Sequence, residues 1–308
     1  MNDMKSYLGW KIDYTVPAGE PAYNAPDSMA WKVFKNPVVG AIGGVCAVLL
    51  EFADSRIRTG VWDHSVFPTD PIGRARRTGV ASAVGTYGPQ SAARRVIMGI
   101  TNMHSKVSGT TPDGRPYKAL DPELLDWVSA TASYGWFMAY NKFVKKMTPD
   151  EERRYFNEGR GEVAKLYGVQ TTLSSLDDFY AMMEKLEADF EPHPINTDFL
   201  ELVRSGKSAS DVPAWMRRAM AHASIEILPQ KVRDVLGLGP EYDLKMHERL
   251  LIKFLAWRYE TFADFDGPPA QACERLGLPR NFLWKSEAAQ KRILASVRAQ
   301  SAEALARG

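Results

Sequence analysis

The sequence predicts an all-α protein built as a single large helical domain, and three observations predict it. Apolar residues recur at three- and four-residue intervals along most of the chain. Helix-start signals recur too: Asp121-Pro122 places an N-cap before a first-turn proline, and Thr148-Pro149-Asp150-Glu151 reads as a capping box. The alternating runs of half-buried strands are scarce. At 308 residues the chain can bury a sizeable core and still hold a cofactor cavity. It shows no internal repeat, no low-complexity segment and no linker long enough to divide it. Residues 31–308 therefore read as one domain, preceded by an N-terminal arm over residues 1–30 whose Pro and Gly follow no period.

The elements follow in order. Pro37 to about Ala53 is the most apolar stretch and reads as a buried helix. Its run to Leu50 is shorter than the ~20 residues a bilayer span needs, so no spanning segment is expected. A polar stretch, Asp54 to Asp70, leads to Pro71, which opens a helix to about Tyr87. Gly88-Pro89 breaks the chain. The next helix, about Ser91 to Val107, carries Val96, Ile97, Ile100, Met103 and Val107 at helical spacing, and His104 is predicted to point along that buried stripe. After a turn-rich loop, Gly109 to Arg115, a long aromatic helix runs from Asp121 to about Val144. Another starts at Thr148 and ends at Gly168. Further helices are expected over 175–189, 197–204, 213–228, 230–236, 243–264 and 287–306.

Composition narrows the function classes. With 39 basic and 37 acidic residues the net charge is +2, which gives no reason to expect nucleic acid as a partner. Cys46 and Cys273 are the only cysteines, neither in a CxxC pair, so a reducing cytoplasmic setting is expected. The N-terminal residues lack the apolar core of a signal peptide. No GxGxxG, P-loop, HExxH or GxSxG motif is present.

Several segments, taken together in order, resemble a known family. They are GVWDHSVFPTDPIGRARRT (60–78), HSKVSG (104–109), the run Tyr117, Ala119, Asp121-Pro122-Glu123-Leu124-Leu125, Trp127-Val128, and Thr148-Pro149-Asp150-Glu151; ILPQKVRDVLGL (227–238) resembles a later stretch. On these the chain is similar to the MpaB and latex-clearing-protein oxygenases. The resemblance implies a helical fold with a globin-like core holding a b-type haem (heme b). It implies that His104, in the H-x-x-V segment, ligates the iron, and that Arg74, Arg77 and Thr78 match the family's Arg-x-x-Lys/Arg-Thr motif on the distal side. It also implies dioxygen and an apolar, alkene-containing or isoprenoid-like small molecule as the other partners.

Each of these residues has a plainer reading. His104 could be a core histidine satisfied by one backbone carbonyl; as a ligand it needs a rigid apolar wall, which its stripe offers. Arg74, Arg77 and Thr78 lie at i, i+3 and i+4 and can face one way, either as a solvated basic face or as partners for haem propionates and bound dioxygen. Latex-clearing members carry a lysine at position 77. Arg77 stays protonated and has no lone pair to give, so it is not expected to ligate iron. Relatives carry a His-Pro pair where this chain has Asp54-Ser55. Glu51, Asp54, Asp63 and His64 are candidates for a catalytic carboxylate or base in this region, each also readable as structural. His222 and His247 are alternative ligands, and His193 reads as surface. A haem protein without enzymatic activity, serving as sensor or carrier, and a haem-free helical protein that binds an apolar ligand remain the rival functions.

Overall fold

Local sequence decides where most helices begin. The structure, a computed structural model, describes residues 6–67, 69–158, 160–205 and 212–307. The arm opens with a small hairpin, β1 (Ser6–Tyr7) and β2 (Trp10–Lys11). Then come α1 (Met29–Phe34), α2 (Pro37–Ala53), α3 (Ser55–His64), α4 (Pro71–Tyr87) and α5 (Gln90–His104). A second hairpin follows, β3 (Ser108–Thr110) and β4 (Pro116–Lys118), paired with Gly109 opposite Tyr117. The chain continues with α6 (Pro122–Ala139), α7 (Pro149–Asn157), α8 (Arg160–Leu166), α9 (Leu176–Leu186), α10 (Pro194–Ser205), α11 (Ala214–Glu226) and α12 (Gln230–Val235). It ends with α13 (Met246–Thr261), α14 (Pro268–Arg275) and α15 (Glu287–Arg307). The two short hairpins are the only sheets among the described residues, so the protein is all-α.

α2 is the central helix. It is apolar on nearly every side, with Val38, Val39, Ile42, Cys46, Leu49, Leu50 and Phe52 all buried, so it must be covered all round. α6 crosses it, and α1, α3, α10, α11, α12 and α13 complete the shell. The crossing with α6 depends on two glycines. A Cβ on Gly43 would lie 2.8 Å from the Gly135 carbonyl, and one on Gly135 would strike the Gly43 carbonyl. Asn36 caps α2 by accepting from the Val38 N–H at 3.2 Å, and its amide donates to the Ala256 carbonyl at 2.9 Å.

A second apolar cluster joins the N-terminal arm to α4, α5 and α14. It contains Tyr7, Ile12, Tyr14, Trp31, Val80, Val84 and Phe282. Arg275 ties the arm down, donating to the carbonyls of Tyr14 (2.7 Å), Glu20 (2.8 Å) and Tyr87 (2.7 Å).

Several expectations need correcting. Residues 55–64 are helical, not a polar connection: Asp54 is the N-cap of α3 and accepts from the Arg56 N–H at 2.8 Å. The helix expected from Thr148 to Gly168 is broken, because Glu158 is extended (φ −84°, ψ 110°); its carboxylate accepts from the Met29 N–H at 3.0 Å and so serves α1 instead. The aromatic helix ends in one π-helical turn, Tyr140–Val144. Its large rings are core: Trp127 stacks on Phe179, and Phe137 packs on Tyr155. Helix α5 stops at His104 rather than Val107. Met103 is 45% exposed and His104 half-buried, so the stripe expected to be buried opens at its end.

Candidate active site

The first turn of α4 is held tightly. Asp70 caps it, its carboxylate accepting from the Gly73 N–H at 2.8 Å. A side chain at Gly73 would collide with that carboxylate. The cap sets Arg74 one turn into the helix, where burial lowers its pKa, the Glu51 charge opposes that shift, and the Arg77 charge adds to it.

Glu51 reaches the same place from the last turn of α2. Burial pushes its carboxyl up to about 7, against the pull of Arg74 and of a hydrogen bond from Thr131. The Thr131 hydroxyl, on α6, lies 3.2 Å from the Glu51 carboxylate and 2.9 Å from the Val128 carbonyl. A hydroxyl has one proton to donate. Ionised Glu51 can receive it; protonated Glu51 can donate to Thr131 while Thr131 donates to Val128.

His104 comes from the end of α5. Burial lowers its pKa, and the Arg74 charge lowers it further, so both disfavour the protonated imidazole. Among the described residues neither ring nitrogen of His104 has a hydrogen-bond partner. One turn earlier, on the same face, the Thr101 hydroxyl is buried without a partner. The arm adds Tyr7, whose buried hydroxyl is raised by desolvation and lowered by the charges of Arg74 and Arg77. Arg74 thus bears on side chains from α2, α5 and the arm at once.

The other expected residues sit differently. Thr78 is exposed; it accepts from the Arg74 guanidinium and donates to the Arg74 carbonyl at 3.1 Å. Its proton is thereby spent locally. Arg77 turns toward Asp70, 3.7 Å away. Asp54 is a helix cap salt-bridged to Arg56 at 2.8 Å, and Asp63 is exposed. His64 Nε2 lies 2.9 Å from the Tyr117 hydroxyl. His193 caps α10, its Nδ1 accepting from the Ile195 N–H at 3.2 Å. His222 is buried with Nδ1 2.9 Å from the Glu248 carboxylate, and His247 is exposed. No local signal singles out Tyr7 or Thr131, because they reach Arg74 and Glu51 across long separations. Thr101 could have been read from its i−3 spacing to His104.

Among the described residues no three His, Cys, Asp or Glu side chains converge to hold a bare metal ion. A porphyrin iron asks less of the protein, since one imidazole suffices.

The family described as "ER-bound oxygenase mpaB/B'/Rubber oxygenase, catalytic domain" matches residues 31–258. The chain belongs to that oxygenase family. The matched span contains Glu51, Arg74, Arg77, Thr78, Thr101, His104 and Thr131; Tyr7, on the arm, lies before it. No curated protein and no solved structure matches the chain. Among the described residues no helix is long and apolar enough to cross a membrane.

Proposed function

We propose that the chain is a haem b-dependent oxygenase that acts with dioxygen on an apolar, alkene-containing small molecule, with His104 as the iron's protein ligand. One observation carries this reading: Glu51, Arg74 and His104, from three different helices, converge so that one cation bears on both a protonatable carboxyl and a neutral imidazole. A neutral imidazole keeps a lone pair for iron. Its free ring nitrogens and the unpartnered Thr101 hydroxyl fit a group that supplies the missing contacts. Haem, when bound, supplies the dioxygen chemistry.

The chain's own residues do the rest. Arg74 provides a fixed positive charge for a propionate or for charge developing on oxygen. Glu51 holds or releases a proton near neutral pH, with Thr131 as its hydrogen-bond partner. Arg77 supplies charge without ligating iron. Thr78 braces Arg74. Membership of an oxygenase family and the exposed apolar side chain of Met103 beside His104 support an apolar substrate.

The test is the visible spectrum of the protein purified after expression with ample haem, beside His104→Ala. A Soret band in the parent that is lost or shifted in the variant is expected, together with oxygen uptake on prenyl or terpenoid alkenes. A band without oxygen uptake on any alkene would leave a non-enzymatic haem protein. No band, even with added hemin, would leave a haem-free binder of apolar ligands.

A further inference from the structure

The outward face of α13 is the largest apolar feature that the candidate active site does not use. Met246, Leu250, Phe254 and Trp257 fall at i, i+4, i+8 and i+11, one stripe of the helix, and Phe262 and Phe265 continue it past the C-terminus. All six are more than half exposed. The stripe's three central rings are contiguous: those of Phe254 and Trp257 lie 5.8 Å apart, as do those of Trp257 and Phe262. Scattered exposed apolar residues need no explanation, but a continuous strip of this kind marks an interaction surface. The opposite face of α13, with Glu248, Ile252 and Ala256, is the one buried in the core.

The polar residues beside the strip decide what covers it. They are His247, Lys253, Arg258 and Thr261, all exposed. No acidic side chain of α13 itself shares that face: Glu248 is buried, and Glu260 is partly buried and salt-bridged to Lys35 at 2.8 Å, while Asp264 and Asp266 lie beyond the helix end, beside Phe265. A second copy docking by two-fold symmetry would bring this cationic strip against itself with no acid on α13 to pair it. Large aromatics interleaved with Lys and Arg, on a helix about 24 Å long that can lie flat, match the side chains that settle at a lipid headgroup boundary.

We infer that the outward face of α13 binds the surface of an anionic lipid bilayer, with Phe254 and Trp257 entering the acyl boundary and Lys253 and Arg258 meeting the headgroups. The helix lies in the interface and does not span it. This surface stands whether or not the chain is a haem oxygenase, since none of its residues belongs to the Glu51–Arg74–His104 site.

The experiment is co-sedimentation of the full chain with vesicles of phosphatidylcholine containing phosphatidylserine, beside vesicles of phosphatidylcholine alone. The parent is expected to pellet with the anionic vesicles, to pellet much less with the neutral ones, and to be released at high salt. Removing each cation, in Lys253→Ala and Arg258→Ala, is expected to weaken partitioning about five-fold. Phe254→Glu combined with Trp257→Glu is expected to abolish it with an unchanged circular dichroism spectrum. If that double variant does not fold, Lys253→Glu with Arg258→Glu, which removes no apolar contact, takes its place and must also release the protein. A parent that stays in the supernatant, or that binds both vesicle types and all variants equally, overturns the proposal. So does a parent dimer that Phe254→Glu splits while neither form binds vesicles, an outcome that assigns the face to a second copy.

Discussion

Two glutamates of this protein are drawn into the helical bundle and end in opposite states. Glu248, on α13, is 3% exposed and surrounded by donors: His222 Nδ1 at 2.9 Å, the Lys245 N–H at 3.1 Å, and the Arg218 guanidinium at 3.5 Å. Burial raises its pKa, but the bonds from His222 and the Lys245 N–H, with the charges of His222 and His247, outweigh burial and the carboxyl is held below its ordinary value. Glu51, on α2, has one shared hydroxyl and a cation acting from further off, so burial wins and the carboxyl is raised to about 7. The lesson is that burial alone does not make a carboxylate structural. Close donors do, even though Glu248 Oε1 has only the Arg218 guanidinium at 3.5 Å and no hydrogen bond, and a carboxyl with fewer and more distant partners is left able to change charge at working pH.

The largest effect is expected from Glu248→Ala. It leaves His222 buried with neither ring nitrogen satisfied, since Nε2 already has no partner, and costs on the order of 3–5 kcal/mol of stability. Urea unfolding measures it; a loss under about 1 kcal/mol would show that the pair is not closed as described. The wild-type pair should also weaken on the acid side, because a lowered carboxyl contributes stability that disappears as pH falls below its ordinary value through its folded one.

Glu51→Gln is expected to act the other way. A raised carboxyl contributes stability below its unfolded pKa and loses it as pH rises through the folded value, here about 7. The amide removes that loss. The variant should therefore be more stable than the parent at alkaline pH, by ~2 kcal/mol after allowing for partial solvent access, and flatter between pH 5 and 8 as read by melting temperature. If Glu51 moves a proton in turnover, oxygen uptake should fall by about 10²-fold in the same variant. A pH profile identical to the parent's would remove Glu51 from the proposed role.

The smallest effect belongs to Arg77→Ala. Its salt bridge to Asp70 is long and solvent-accessible, so stability should change by less than about 1 kcal/mol. The haem spectrum should keep its coordination state. A six-coordinate spectrum that collapses in this variant would mean that Arg77 ligates iron after all.

How much could be read in advance follows the same physics. The apolar run of α2, the Asp121-Pro122 start of α6 and the Thr148 capping box at α7 all appear where expected, because their signals are local. Helix α3 was hidden behind polar residues. Its Arg58 is buried by donating to the Phe52 carbonyl at 3.0 Å and pairing with Glu191, a partner far along the chain. The break at Glu158 was equally invisible, since the reason for it is a distant amide at Met29. Of the candidate site, the i, i+4 contact of Arg74 with Thr78 was legible from spacing. The turn of Arg77 toward Asp70, the commitment of the Thr78 proton and the approach of Tyr7 were not.

By itself the sequence determined that this protein is helical, where most of its helices begin, and which family it belongs to. Those properties rest on short-range periodicity, caps and ordered motifs. Only the tertiary structure decided which of the candidate acids is enclosed without an adequate partner, which histidine lies half-buried near the charge of Arg74 with no hydrogen-bond partner among the described residues, and which apolar stripe is left facing outward. Those depend on desolvation and on charges brought together from distant parts of the chain, and neither quantity exists until the helices have packed.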